Sequence, residues 1–70
     1  MARLEQLADH LEQTVDSASV HEVLEALALV CHAKADHLAS NWGDAQSAQA
    51  WARAAGHIEK AASRVEQIGV

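Results

Sequence analysis

The chain has no proline, phenylalanine or tyrosine, and only one cysteine and three glycines in 70 residues. Each shortage excludes something. Without proline, no helical stretch is broken by a residue that lacks an amide donor. With Cys31 as the single cysteine, no disulfide can form within the chain, and a buried thiol in a reducing compartment is the expectation. Trp42 and Trp51 are the only aromatics, so the large rings that fill most cores are scarce. Zinc-binding cysteine pairs, glycine-rich phosphate loops and nucleophile elbows are missing too. No cofactor and no catalytic apparatus is therefore expected. No apolar run approaches the ~20 residues of a membrane span, and Glu5 and Asp9 interrupt the segment where a signal peptide would be apolar. The expected compartment is the cytoplasm, without a membrane partner.

Cations are also scarce. Five Lys and Arg stand against ten Asp and Glu, a formal charge of −5, and the deficit is uneven. Residues 1–15 carry −2 and residues 16–43 carry −3, whereas in residues 44–70 Arg53, Lys60 and Arg64 balance Asp44, Glu59 and Glu66. An acidic chain repels nucleic-acid phosphate unless one face gathers its few cations, so nucleic acid is the least favoured partner.

What the chain has in quantity is alanine, 16 of 70 residues. Alanine is the best helix former and lets helices approach closely, but it buries little area. A chain this short buries only about 60% of its unfolded surface, and a core of this size rarely supplies more than ~3–5 kcal/mol net. Composition thus predicts one all-α domain over residues 1–70, probing for a partner to complete it, with self-association the simplest completion.

Leu4, Leu7, Ala8, Leu11 and Val15 recur at helical spacing and predict a short helix over residues 2–14. Asp16-Ser17-Ala18-Ser19 breaks the pattern, and Ser19 with Glu22 forms a capping box at a new start. The second helix, residues 19–42, places Val20, Val23, Leu24, Leu27, Val30, Cys31, Leu38 and Trp42 along one side. Gly43 can adopt the left-handed conformation that closes it, and Asp44 can cap a third helix over residues 45–67. So tight a link predicts an antiparallel hairpin. On the third helix Ala48, Trp51, Ala54, Ala55, Ile58, Ala61, Ala62, Val65 and Ile68 are expected to face inward, with Gly56 outside. The core or oligomer contact is expected to use Leu24, Leu27, Cys31, Leu38, Trp42, Trp51, Ile58 and Val65 above all.

Three constellations could carry function. Five histidines are many for the length, and His is the commonest metal ligand. His21 with Glu25 and His32 with Asp36 are i,i+4 pairs on the polar side of the second helix. Such pairs can chelate a metal when a second subunit completes the site. The bland reading is a pair of solvated helix-surface contacts, worth a few tenths of a kcal/mol. Neither pair has the Glu-x-x-His pattern of di-iron bundles. The second constellation is Arg53, His57, Lys60 and Arg64, at i, i+4, i+7 and i+11 of the third helix. They form a basic stripe suited to an acidic protein surface or to the acidic helices of a second copy; the bland reading is a solvated face. Third, Leu29 falls among polar residues, and with Ala26 and Ala33 it offers a dock for the first helix or for a partner. Lys34, at the edge of the apolar stripe, can keep its ammonium wet by laying its stem along that stripe. Cys31, without an identified base, reads as structural.

The hairpin with Trp42 at its turn is similar to the small secreted helical-hairpin proteins named for a Trp-x-Gly turn. That resemblance implies a secreted, dimeric hairpin. Here Gly43 follows Trp42 directly, the second helix is short and no C-terminal secretion tail follows. The function expected is a non-catalytic protein-interaction or regulatory module that self-associates. The alternatives are a metal-binding bundle sharing His21, Glu25, His32 and Asp36 between subunits and, behind it, the secreted hairpin.

Overall fold

Three capping sites set the architecture. The computed structural model describes residues 2–70, and among them there are three α-helices and no strand: α1 (Ala2–Ser17), α2 (Val20–Asn41) and α3 (Ala45–Ile68). At the start of α2, Ser19 is extended (φ −168°, ψ 165°) and its hydroxyl accepts from the Glu22 amide at 3.1 Å. The same hydroxyl lies 3.2 Å from Nδ1 of His21. Only the serine half of the expected capping box forms; the Glu22 carboxylate does not reach back to it. Helix α1 runs three residues past its expected end at residue 14. The hydroxyls there bond back to the preceding turn: Thr14 Oγ1 donates to the His10 carbonyl at 3.4 Å and Ser17 Oγ to the Gln13 carbonyl at 2.9 Å.

The link between α2 and α3 reverses the chain in three residues. Gly43 has φ 61°, in the left-handed region, and the Asp44 amide reaches back to the Leu38 carbonyl at 3.1 Å. The Asp44 carboxylate then caps α3, accepting from the Ser47 amide at 3.0 Å. That backbone bond, reinforced by the Ser47 hydroxyl, holds the Asp44 carboxyl below the usual carboxylate range. At the far end Gly69 (φ 91°) closes α3, and the Val70 carbonyl accepts from the His21 amide at 3.2 Å. The two ends of the hairpin are thereby tied together.

Helices α2 and α3 pack as the expected antiparallel hairpin, but through smaller residues than expected. The buried side chains are Ala28, Cys31 and Ala35 from α2 and Ala48, Ala55 and Ala62 from α3. Ala48, Ala55 and Ala62 are seven apart, as are Ala28 and Ala35, so the seam follows a heptad period. Of the larger residues on the expected stripes, Leu24, Leu38, Ile58 and Val65 are half-buried, and Leu27, Val30, Trp42, Trp51 and Ile68 are exposed, as is Ala61. The physical reason is closeness. Once alanines meet, the helix backbones are too near for Leu or Trp to stand between them, and the bulky side chains are displaced to the flank of the seam. Gly56, expected outside, is half-buried, yet a β-carbon there would meet nothing within 4 Å.

Helix α1 behaves differently. It barely touches α2 and does not touch α3. None of its residues is buried, and Leu4, Leu7 and Leu11 remain 60%, 53% and 43% exposed. The radius of gyration is 14.0 Å, against about 11 Å for a compact domain of this length.

Candidate interaction surface

On α3, the stripe Arg53, His57, Lys60 and Arg64 lies on the side opposite Ala48, Ala55 and Ala62, and all four residues are exposed. The hairpin contact therefore leaves it open. Among the described residues, no ion pair involves Arg53, Lys60 or Arg64. Three unpaired cations over three helical turns give a local positive strip on an acidic molecule.

Two histidines of α2, His21 and His32, turn the other way, toward acids on α3. His21 Nε2 is 3.4 Å from Glu66 Oε2 and 3.8 Å from Glu25 Oε1. His32 Nε2 is 3.3 Å from Glu59 Oε1. His32 and the acids that these histidines meet edge a groove of about 430 Å³ lined by Glu25, Ala28, Leu29, His32, Glu59, Ser63 and Glu66. Glu59, Ser63 and Glu66 were not singled out by the sequence reading. A signal existed: Glu59 and Glu66 each stand four residues beyond a seam alanine, Ala55 and Ala62, where a heptad places the residues that flank a contact.

Within one chain the alternative metal set does not converge. His21 approaches Glu25, but His32 is drawn across to Glu59 and no contact joins it to Asp36. Among the described residues no group of three or more His, Cys, Asp and Glu side chains is placed to hold a metal ion. Cys31 is free and buried inside the seam, with the residue 4% exposed.

Leu29 is 69% exposed, and Ala26 and Ala33 are exposed beside it. Helix α1 does not cover them. Trp42, at 72% exposure, is held against the outside of α2 by donating from its indole nitrogen to His37 Nε2 at 3.2 Å. The Asn41 side-chain nitrogen lies 2.7 Å from His37 Nδ1 on the other side of the ring; neutral histidine has one acceptor nitrogen, so the indole and the amide compete to donate to it. Lys34 is exposed beside Val30, Ala33 and His37 on the same helix.

The molecule therefore presents two unlike sides. One is the acidic, histidine-lined groove. The other carries exposed apolar side chains, Leu27 and Val30 on α2 and Trp51 on α3, with the cations at the back of α3. Among the described residues no helix is long and apolar enough to cross a membrane. No protein-family model, curated protein or solved structure matches the chain.

Proposed function

We propose that this chain is a non-catalytic helical interaction module that works by protein contact, first of all with copies of itself. One observation carries the reading: the apolar side chains large enough to drive association are outside the intramolecular contact. Leu4, Leu7, Leu11, Leu27, Val30 and Trp51 are all exposed, and among the described residues Arg53, Lys60 and Arg64 of the basic stripe make no ion pair. Soluble proteins keep contiguous apolar patches small unless a partner covers them. Alanine burial within the hairpin contributes about 0.8 kcal/mol per methyl-sized group, less than half of what a buried leucine can contribute. The stabilisation that the hairpin lacks is therefore available at the exposed leucines and at Trp51. A site for nucleic acid is disfavoured by the net charge of −5.

Sedimentation equilibrium tests the reading. The weight-average mass is expected to rise above the 7.5 kDa of one chain at tens of micromolar. A well-folded monomer at every concentration overturns self-association. Elemental analysis of untagged protein separates this reading from a metal-binding bundle, with no stoichiometric transition metal expected.

A further inference from the structure

The helix that barely touches the hairpin carries the charge pattern that the basic stripe lacks. Glu5, Asp9, Glu12 and Asp16 of α1 stand at i, i+4, i+7 and i+11, the same spacing as Arg53, His57, Lys60 and Arg64 of α3 with the opposite sign. Each set covers about 60° of its helix and about 16 Å of its length. In the single chain the two never meet, because α1 does not touch α3.

The apolar stripes agree with the charged ones. Viewed from the N-terminus at 100° per residue, the acids of α1 lie about 120° clockwise of Leu4, Leu7, Leu11 and Val15. The cations of α3 lie about 110° counterclockwise of the flank formed by Trp51, Ala54, Ile58, Ala61 and Val65. Two parallel helices bring a clockwise flank against a counterclockwise one; antiparallel helices do not. Leucines against that flank and acids against cations are thus satisfied together, in one orientation, with α1 parallel to α3. That is the direction the first and third helices share in an up-down-up three-helix unit.

Resting on the self-association proposed above, we infer that α1 is an exchanged arm: it docks on the apolar flank of a second copy, its acidic stripe on that copy's basic stripe, and receives the reciprocal contact. The link decides for the second copy over the same chain. Between α2 and α3 the reversal uses Gly43 in the left-handed region. Between α1 and α2 the link is Ala18-Ser19, with no glycine and no positive φ, and Ser19 is fully extended as the cap of α2. Such a link directs α1 away from its own hairpin, and a short hinge that cannot fold back favours exchange between protomers.

The surface area agrees in size. The chain exposes 5534 Å², about 1,300 Å² more than the roughly 4,200 Å² expected of a compact monomer of this mass. Removing that excess from both copies exceeds the ~1,600 Å² of an ordinary specific interface.

A charge-exchange experiment on the full chain tests the arm. One variant carries Asp9→Lys, Glu12→Lys and Asp16→Lys; the other carries Arg53→Glu, Lys60→Glu and Arg64→Glu. In each, arm and stripe have the same sign, so each alone is expected to sediment at the mass of one chain where the parent sediments at twice that mass. Mixed in equal amounts, both contacts are complementary again, and doubling of the mass is expected. If a variant alone loses helicity by circular dichroism, its recovery on mixing carries the same meaning. Failure to recover mass or helicity on mixing overturns the exchanged arm. If the parent and both variants are dimers, association uses another face: the arm is overturned while self-association stands. A parent that is monomeric throughout overturns both.

Discussion

The hairpin and α1 are built from equally helical sequence and meet opposite fates. Helices α2 and α3 bury alanine against alanine and are tied at both ends, by Gly43 and Asp44 at the turn and by the His21 to Val70 bond at the open end. Helix α1 has a leucine stripe, and Leu4, Leu7 and Leu11 all stay exposed. The difference lies in links of two and three residues. A left-handed glycine lets the chain double back so that small residues can interlock; an extended serine cap does not. Apolar bulk alone therefore does not determine which segments pack together in this chain. Link geometry selects the contact, and the unused bulk becomes surface.

The largest effect expected from breaking this comparison is on assembly. A Gly-Gly insertion between Ala18 and Ser19 gives the first link the freedom of the second, so α1 can close on its own hairpin with the same leucine and charge contacts. The expected outcome is conversion from a concentration-dependent dimer to a monomer with similar helicity. It is read by sedimentation together with circular dichroism. An insertion variant that associates like the parent contradicts the role given to the link.

Next in size is the seam. Ala55 is 0% exposed, and the close approach of α2 and α3 depends on its small volume. Ala55→Leu should overpack the contact and cost about 2–3 kcal/mol of stability in denaturant unfolding. Leu7→Ala on α1, measured in dilute monomer, should change stability by no more than about 0.5 kcal/mol, as for other surface substitutions. The reverse ranking would mean that α1 is packed and the seam loose.

These two positions also show what was legible in the sequence. Helix positions were readable because Ser19, Gly43 and Asp44 act locally, through one hydroxyl, one φ angle and one carboxylate. The choice of buried residues was not, because it depends on how closely two backbones approach. Hydrophobic patterning weighs Leu27, Trp42 and Trp51 above Ala28, Ala35 and Ala55, while the structure buries the alanines. The heptad recurrence of Ala48, Ala55 and Ala62 was the available signal. The basic stripe was legible because all four residues share one helix. The groove of His32, Glu59 and Glu66 required knowing the rotation of α3 against α2. The acidic match on α1 lay in the spacing, but its meaning depends on α1 being undocked.

Two smaller changes sharpen the contrast within the hairpin itself. Ser19→Ala removes the hydroxyl that accepts the Glu22 amide, and should cost about 1 kcal/mol. Gly56→Ala places a methyl group where nothing lies within 4 Å, in the middle of α3. Thermal unfolding should show a gain of about 0.5–1 kcal/mol from the lower backbone entropy of the unfolded chain. Destabilisation instead would mean that a neighbour approaches Gly56 in solution.

The smallest expected effect separates the two links by pH. Asp44 caps α3 with a charge, whereas Ser19 caps α2 with a neutral hydroxyl, so only the first cap titrates. The Ser47 amide, and after it the Ser47 hydroxyl, bond the Asp44 carboxylate and lower its pKa in the folded chain. A group whose folded pKa is depressed adds stability that is fully present above its unfolded value, about 3.9 for aspartate. That stability is lost as pH falls through the lower, folded value. Asp44→Asn keeps an acceptor for the Ser47 amide but has no proton to gain. Its melting temperature should lie slightly below the parent's at neutral pH, where the carboxylate also meets the positive end of the α3 dipole. The difference should shrink as pH falls through and below the ordinary aspartate range. Asp44→Ala lacks the acceptor altogether and should stay below the asparagine variant at every pH. Melting curves of parent and Asp44→Asn that fall in parallel with acid would show that the turn is not held by this charge. The closure of the hairpin would then rest on Gly43 and the Leu38 carbonyl alone.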